Sequence, residues 1–454
     1  MAFKRIKMKV KLSFLGIMGF KCAIIFLIIG FLFIHTGCDK VLTEQKTENS
    51  LIDFLNDFLN EALIQDGFSP PVASKIYAYC NLAAFEAYQI SDSNKIDFSS
   101  FINEYNLQFE PPKEKVNKEL VIISAFCHIA KDQVYRDFII DSLFAESVQL
   151  FAKNLSKKVS DASIAVGQNI ANEIIEYSKG DNYLKSRSYP LYKLLGTPGS
   201  WEPTPPYFGT PVEPHWGAIR PFVINNVKDF SIQEHIPFDT IPGTPFYELN
   251  KYIYDVSKSL SDEDVKLAMH WDGDPMPPHR LKHINLIKRQ LNPVGHWLAI
   301  GKKLNNQLKV DERTAMLTYL RISLSCADAL IVGWYLKYEI NLIRPQSYIN
   351  KYIDESWNPT LVTPLFPEYP SGHSLISGAC ANTLIAIFSD SIKFVDDTQI
   401  KFGHQPRTFE SITAAADECA KSRVLGGVHY IPAVENGVEL GRKIAEYHHS
   451  KFNF

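Results

Sequence analysis

Apolar residues recur along this chain at helical rather than strand spacing. Leu51, Phe54, Leu55, Phe58 and Leu59 fall three and four positions apart, which puts them on one face of a helix. Pro70 and Pro71 break that run, and residues 73–87 predict the next helix. The same texture predicts helices over 116–131 and 139–179, then over 246–260, 278–291, 311–340, 374–388, 411–425 and 434–450. Residues 311–340 are apolar on every side and open with Asp311 and Glu312. That combination predicts a buried central helix with acidic charge at its N-terminus. No internal repeat or strand-rich block interrupts the pattern, so the predicted fold class is all-α.

Between residues 186 and 245 the texture changes. Prolines and aromatics crowd together, as in Pro198-Gly199-Ser200-Trp201-Glu202-Pro203-Thr204-Pro205-Pro206. Few residues there can hold a regular element. A long irregular segment of this kind either belts a core or borders an entrance.

Composition narrows the function classes. The chain has 454 residues, 46% of them hydrophobic, enough for one large domain or two smaller ones. A net charge of −3 gives no sign of nucleic-acid binding, so any anion site must gather positive charge locally. The seven cysteines are scattered, with neither a zinc spacing nor a dense disulfide framework.

The first 38 residues read as an address. Lys4, Arg5, Lys7, Lys9 and Lys11 precede an apolar run, residues 23–34, and then His35-Thr36-Gly37-Cys38. This resembles a bacterial lipoprotein signal, which implies lipidation at Cys38 and a place in the cell envelope, held to the membrane by the lipid alone. An uncleaved anchor helix over residues 12–34 is the alternative, and either puts the rest of the chain outside the cytoplasm. The expected organisation is a leader (1–38), a polar tether (39–50), an N-terminal helical part (51–310) containing the irregular 186–245 segment, and a core (311–454).

Three segments of that core carry candidate chemistry. Lys337 and Arg344-Pro345 close the long helix, where basic residues also serve simply to complement the helix dipole. Pro364-Leu365-Phe366-Pro367-Glu368-Tyr369-Pro370-Ser371-Gly372-His373 runs into the 374–388 helix. A Ser-Gly-His step there offers a hydroxyl and free N–H groups to an anion, although an ordinary N-cap would look the same. Ser422-Arg423-Val424-Leu425-Gly426-Gly427-Val428-His429 supplies a second guanidinium and a histidine that alone would read as core.

Lys-x6-Arg-Pro, then Pro-Ser-Gly-His, then Ser-Arg-x5-His, in that order, resembles the superfamily of type 2 phosphatidic acid phosphatases and vanadium haloperoxidases. The features from Gly67-Phe68-Ser69-Pro70-Pro71 onward are similar to its bacterial lipoprotein-type members. The resemblance implies two four-helix bundles packed together, and a site for vanadate that phosphate can also occupy. Lys337, Arg344 and Arg423 would neutralise the oxyanion, while Ser371 and the Gly372 N–H would hydrogen-bond it. His429 would be the axial ligand to vanadium, or the nucleophile on phosphorus, and His373 the acid–base group. The family usually has an Asp four residues after the axial histidine to orient its ring. Here that position is Ala433, and Glu435, Glu439 or a backbone carbonyl are the candidate replacements.

Vanadate and phosphate are near-isosteric, so flanking residues must separate the reactions. Trp334, Pro364 and Phe366 resemble the halide pocket of vanadium chloroperoxidases. A second apolar run of membrane-spanning length is missing, unlike in lipid phosphatases. The favoured expectation is a haloperoxidase oxidising iodide or bromide, rather than chloride, with hydrogen peroxide. In it Lys337 would polarise the peroxide. The alternatives are an acid phosphatase acting on phosphomonoesters through a phosphohistidine, and an inactive oxyanion-binding surface lipoprotein. A monomer and a homodimer both stay open. His279 and His283 are spaced as a weak metal pair, Asp272 and Asp274 as turn residues or a carboxylate near the cationic site, and His448-His449 as a solvated helix end.

Overall fold

The computed structural model describes residues 50–232, 235–273, 279–281, 284–286 and 290–452. The leader, its Cys38, Asp274 and His283 lie outside the described residues, as do the side chains of residues 279–281 and 284–286. The chain divides into two compact units, Met1–Phe54 and Leu55–Phe454.

Fourteen α-helices form among the described residues. We label them α1 (Leu51–Asp66), α2 (Pro70–Gln89), α3 (Lys118–Gln133), α4 (Asp137–Ala152), α5 (Lys157–Lys179), α6 (Tyr183–Ser186), α7 (Pro245–Ser257), α8 (Asp262–His270), α9 (Pro293–Leu308), α10 (Glu312–Ile340), α11 (Pro345–Tyr352), α12 (Gly372–Phe388), α13 (Ile412–Leu425) and α14 (Ile431–Lys451). Their starts follow from local chemistry. Asn117, Ser156, Asp311, Ser371 and Ser411 cap α3, α5, α10, α12 and α13 with side-chain acceptors, and prolines open α2, α7, α9 and α11. Two antiparallel strand pairs accompany them: β1 (His279–Leu281) with β2 (Ile284–Leu286), and β3 (Phe394–Asp396) with β4 (Arg407–Phe409).

Two groups of four helices carry the fold. In the first, α3 packs on α2, α4 and α5; in the second, α12 packs on α10, α13 and α14. Helix α10 joins them, because it packs on both α2 and α12. By length and composition α10 could cross a membrane, but its most apolar stretch is covered by neighbouring helices, as its all-round hydrophobicity predicts. Helices α12 and α14 approach backbone to backbone. A Cβ on Gly441 would stand 2.2 Å from the Leu375 carbonyl oxygen, and one on Gly378 2.2 Å from that of Val438. Glycine is therefore the residue these crossings admit.

Several sequence expectations need correction. Residues 279–281 and 284–286 form strands rather than a helix, and Pro277-Pro278 precede them. The 139–179 run is two helices, because Ser156 caps a new start. Helix α10 ends at Asn341 in the left-handed region, so Arg344 is the N-cap residue of α11 rather than the close of α10. The short helices α8 and α11 carry too few apolar repeats to stand out, whereas α9, 16 residues long with Val294, Trp297, Leu298 and Leu304 at helical spacing, is a helix the sequence reading omits.

Residues 187–244 are irregular, as their composition predicts, with 3-10 turns at Trp216–Ala218 and Val227–Asp229 among the described residues. They belt α10. The Trp201 N–H donates to the Asn341 carbonyl at 2.8 Å and the Ile343 N–H to that of Gly199 at 2.9 Å. The buried Asp328 carboxylate of α10 accepts the N–H groups of Phe222, Val223 and Ile224 at 2.6, 2.8 and 2.9 Å. It also meets His448 Nε2 at 3.0 Å. His448 is thus buried and bonded, not a solvated helix end, while His449 beside it is exposed.

Removing that carboxylate leaves three buried donors unmatched. Asp328→Ala should destabilise the protein by about 3–5 kcal/mol and open the 187–244 belt to limited proteolysis. Denaturant unfolding and cleavage mapping of the full chain would show it; an unchanged midpoint with an intact belt would refute the clamp.

Candidate active site

Three elements bring the predicted cations to one place. The last turn of α10 carries Lys337, the start of α11 carries Arg344, and α13 carries Arg423; all three are buried. Each donates to at least one backbone carbonyl oxygen. Lys337 Nζ donates to the carbonyls of Pro367 at 2.9 Å, Glu368 at 3.1 Å and Pro370. Arg344 donates from Nε to Phe366 O at 2.9 Å and from Nη1 to Val428 O at 2.8 Å. Arg423 Nη2 donates to Ala268 O at 3.3 Å and its Nε to Ser422 Oγ at 3.0 Å. Asp272 comes within 3.9 Å of Arg423, so this carboxylate does approach the cationic site.

The Ser-Gly-His step opens α12. Ser371 is the N-cap: its Oγ accepts from the Ser374 N–H at 3.4 Å and from the Ser374 hydroxyl at 2.9 Å. Its own N–H donates to the Ala433 carbonyl at 3.0 Å, which ties α12 to the start of α14. Gly372 follows with ordinary helical placement. A Cβ there would meet Trp334 at 3.6 Å and Lys337 Cε at 3.9 Å, so no protein neighbour forces glycine, and a methyl group would project into the space between these side chains. His373 is buried, and its Nε2 has no hydrogen-bond partner among the described residues. Burial, then the charges of Arg423 and Lys337, hold this imidazole well below its usual pKa and therefore neutral.

His429 closes the cage. Its Nε2 lies 3.2 Å from Arg344 Nη1 and its Nδ1 2.7 Å from Glu368 Oε1. An arginine can only donate, so Nε2 bears the lone pair and Nδ1 the proton, which passes to the carboxylate oxygen. Burial, then Arg344 and Lys337, keep this ring neutral too. Glu368 is therefore the orienting carboxylate in place of the one absent at Ala433. It also accepts the Tyr430 N–H at 3.0 Å. Burial raises its pKa to about 7, against the pull of Arg344 and Lys337. The candidates downstream of His429 do not serve: Glu439 pairs with Arg442 and Glu435 is exposed. Ala433 itself is buried in an apolar cluster with Tyr369, Tyr430 and Val434. The signal that could have found Glu368 is its place inside the Pro-rich run, three residues before Ser371.

Trp334 and Phe366 form one wall, their ring centroids 5.0 Å apart. Lys337 Nζ stands 4.9 Å from the Phe366 centroid and 5.8 Å from that of Trp334, and the Arg344 guanidinium 5.0 Å from Phe366. Pro364 is half-buried at the turn before them, and its carbonyl accepts the Phe366 N–H at 3.0 Å. The structure thus gathers Lys337, Arg344, Ser371, Gly372, His373, Arg423, His429, Trp334 and Phe366 around one space.

Comparison with known proteins bears on this geometry. The family model of the VCPO second helical-bundle domain matches residues 317–453. The crystal structure of the first bacterial vanadium-dependent iodoperoxidase is similar over 88% of this chain and 96% of that one, at 34% identity and a TM-score of 0.83. The holo and apo forms of a bacterial vanadium-dependent chloroperoxidase are similar in fold. Both are 17% identical over 85% of this chain, covering 93% and 94% of theirs, with TM-scores of 0.63 and 0.61. No curated protein matches the chain.

Two outcomes follow. Glu368→Gln should weaken vanadate binding by about ten- to a hundred-fold, while Glu435→Gln leaves it unchanged; equilibrium dialysis of the full chain that gave equal affinities would remove Glu368 from the site. Burial first, and the cations second, hold His373 neutral; a bound anion offsets the cations, so its pKa rises on binding. Protonation of Glu368 below about 7 adds positive charge in the same sense. Affinity for sulfate, whose own charge is fixed, should therefore rise as pH falls through neutrality, with proton uptake visible by calorimetry in buffers of different ionisation enthalpy.

Proposed function

Within the vanadium-dependent haloperoxidase family, to which this chain belongs, we propose that it oxidises iodide or bromide, rather than chloride, with hydrogen peroxide to the hypohalous acid. The observation that carries this reading is the fixed tautomer of His429: a buried imidazole lone pair faces three buried cations. Likeness to a bacterial iodoperoxidase supports the choice of halide, as does the lower hydration and easier oxidation of the larger halides.

Vanadate fits the residues present. The cage keeps more fixed positive than negative charge, since Lys337, Arg344 and Arg423 face two carboxylates, Glu368 and Asp272. His373 Nε2 stands without a partner, and the space a Cβ on Gly372 would fill lies beside Lys337. Ser371, the Gly372 N–H and the three cations would hold the oxyanion, and His429 Nε2 would be its ligand. Phosphate, of the same shape, would occupy the same cage. When bound, vanadate supplies a Lewis-acidic centre that activates hydrogen peroxide towards halide without changing its own oxidation state.

The chain's own residues do the rest. His373, neutral in the free site, takes a proton at Nε2 as hydrogen peroxide enters and returns it to the departing oxygen. Trp334 and Phe366 exclude water from one side, and the Lys337 ammonium gives that dry wall a positive edge for halide. Halide, hydrogen peroxide and one proton become hypohalous acid and water. Glu368 supplies the orientation that Ala433 cannot, which favours an active site over an inert oxyanion-binding one. We further read the leader and Cys38 as a lipid anchor that holds the enzyme to the outside of a bacterial cell membrane.

The full chain in detergent, loaded with vanadate, should oxidise iodide and bromide faster than chloride, and His429→Ala should abolish the activity. Hydrolysis of p-nitrophenyl phosphate without vanadate-dependent halide oxidation would replace this reading with a phosphatase. Neither activity, with oxyanion binding retained, would leave an inert anion binder.

A further inference from the structure

A second cluster of ligating side chains shares no residue with the cage, although His296 is near enough to act electrostatically on His373. His270 closes α8, His296 stands in the first turn of α9 and Asp396 ends β3; all three are buried. The Nε2 atoms of His270 and His296 reach the same oxygen, Asp396 Oδ2, at 3.0 and 2.7 Å. Two imidazole nitrogens and one carboxylate oxygen from three separate elements thus lie within 4.8 Å of one another.

We propose that His270, His296 and Asp396 form a binding site for one divalent ion of the zinc type, separate from the oxyanion cage. Two nitrogen ligands and one carboxylate oxygen suit a borderline cation and leave a fourth position for water.

Outer partners hold these side chains in place. Asp396 Oδ1 is held by the Thr398 N–H at 3.0 Å and the Thr398 hydroxyl at 2.6 Å, which leaves Oδ2 to face the histidines. The Gln399 amide meets His296 Nδ1 at 3.1 Å, and the Trp271 ring stacks on His296 at 4.6 Å. Such outer partners fix the tautomer and ring plane of ligating histidines.

Hydrogen bonding within the triad leaves a polar atom unmatched. If both imidazoles donate from Nε2 to Asp396, the buried Gln399 Oε1 has no partner among the described residues, while His270 Nδ1 has none there in either arrangement. A cation on the Nε2 lone pair of His296 puts the ring's proton on Nδ1. With the Gln399 amide turned, that proton is donated to Oε1, since the orientation of an amide is an assignment. Charge points the same way. The two imidazoles are the sole groups within ion-pair reach of Asp396 among the described residues. The ion would join the end of α8, the start of α9 and β3. Trp271 and Asp272 follow His270 directly, so it would also brace the wall that reaches Arg423.

The test uses the full chain in detergent, stripped with a chelator and reloaded with Zn²⁺ or Co²⁺ before removal of free metal. Elemental analysis should find one equivalent retained, Co²⁺ should give visible ligand-field absorption, and loading should raise Tm by several degrees. Asp396→Asn and His296→Gln should lose the equivalent, whereas His429→Ala, altered in the cage alone, should keep it. A folded wild-type chain that retains no metal, or triad variants that retain as much as wild type, would overturn the proposal. Should the variants fail to fold, the wild-type stoichiometry and Co²⁺ spectrum decide the matter.

Discussion

Three cations buried around one space repel each other, and the rest of the structure is arranged to hold them there. Burial of an unpaired ammonium or guanidinium is costly, yet few carboxylates stand near. Instead, backbone carbonyls solvate the charges: those of Pro367, Glu368 and Pro370 around Lys337, Phe366 and Val428 around Arg344, and Ala268 around Arg423. A carbonyl dipole stabilises a cation without neutralising it. The site is left with the net positive charge that an oxyanion needs. This explains why the Pro364–Pro370 run is irregular: a helix or strand would spend these carbonyls on its own hydrogen bonds.

Such a loop needs a rigid frame. Helices α12 and α14 supply it through their glycine crossings at Gly378 and Gly441, where backbones meet without intervening side chains. That contact fixes the Ser371 N–H on the Ala433 carbonyl and so sets the α12 N-terminus beside the segment carrying His429. On the other side, the 187–244 belt is hydrogen-bonded to α10 through Asp328 and to the Asn341–Ile343 turn between Lys337 and Arg344. The turn that separates these two cations is therefore held from outside as well as from within.

The long helices were legible because burial imposes a period on them, and α10 and α12 were placed within two residues of their ends by Asp311 and Ser371. The cage was legible because its chemistry is concentrated in three short runs, each with several polar residues at fixed spacing. What escaped was set by tertiary contact. Nothing local to His448 reveals that Asp328, 120 residues away, buries it. The β1–β2 pair was hidden because short apolar runs fit helix and strand alike. The triad of His270, His296 and Asp396 was invisible because its members share no spacing at all.

Glu368 shows how a missing residue can mislead. Ala433 sits in an apolar cluster, where a carboxylate would be buried against Tyr369, Tyr430 and Val434. The orienting charge instead comes from the loop, 61 residues before His429. Moving it changes more than its address. The same four-residue stretch, 367–370, now supplies both the carbonyls that hold Lys337 and the carboxylate that holds His429, directly between Phe366 and Ser371. With the carboxylate at position 433, His429 would be held by its own segment. With it at 368, the aromatic wall, the Ser371 N-cap and His429 are held by one loop. A displacement of that loop must then disturb all three together.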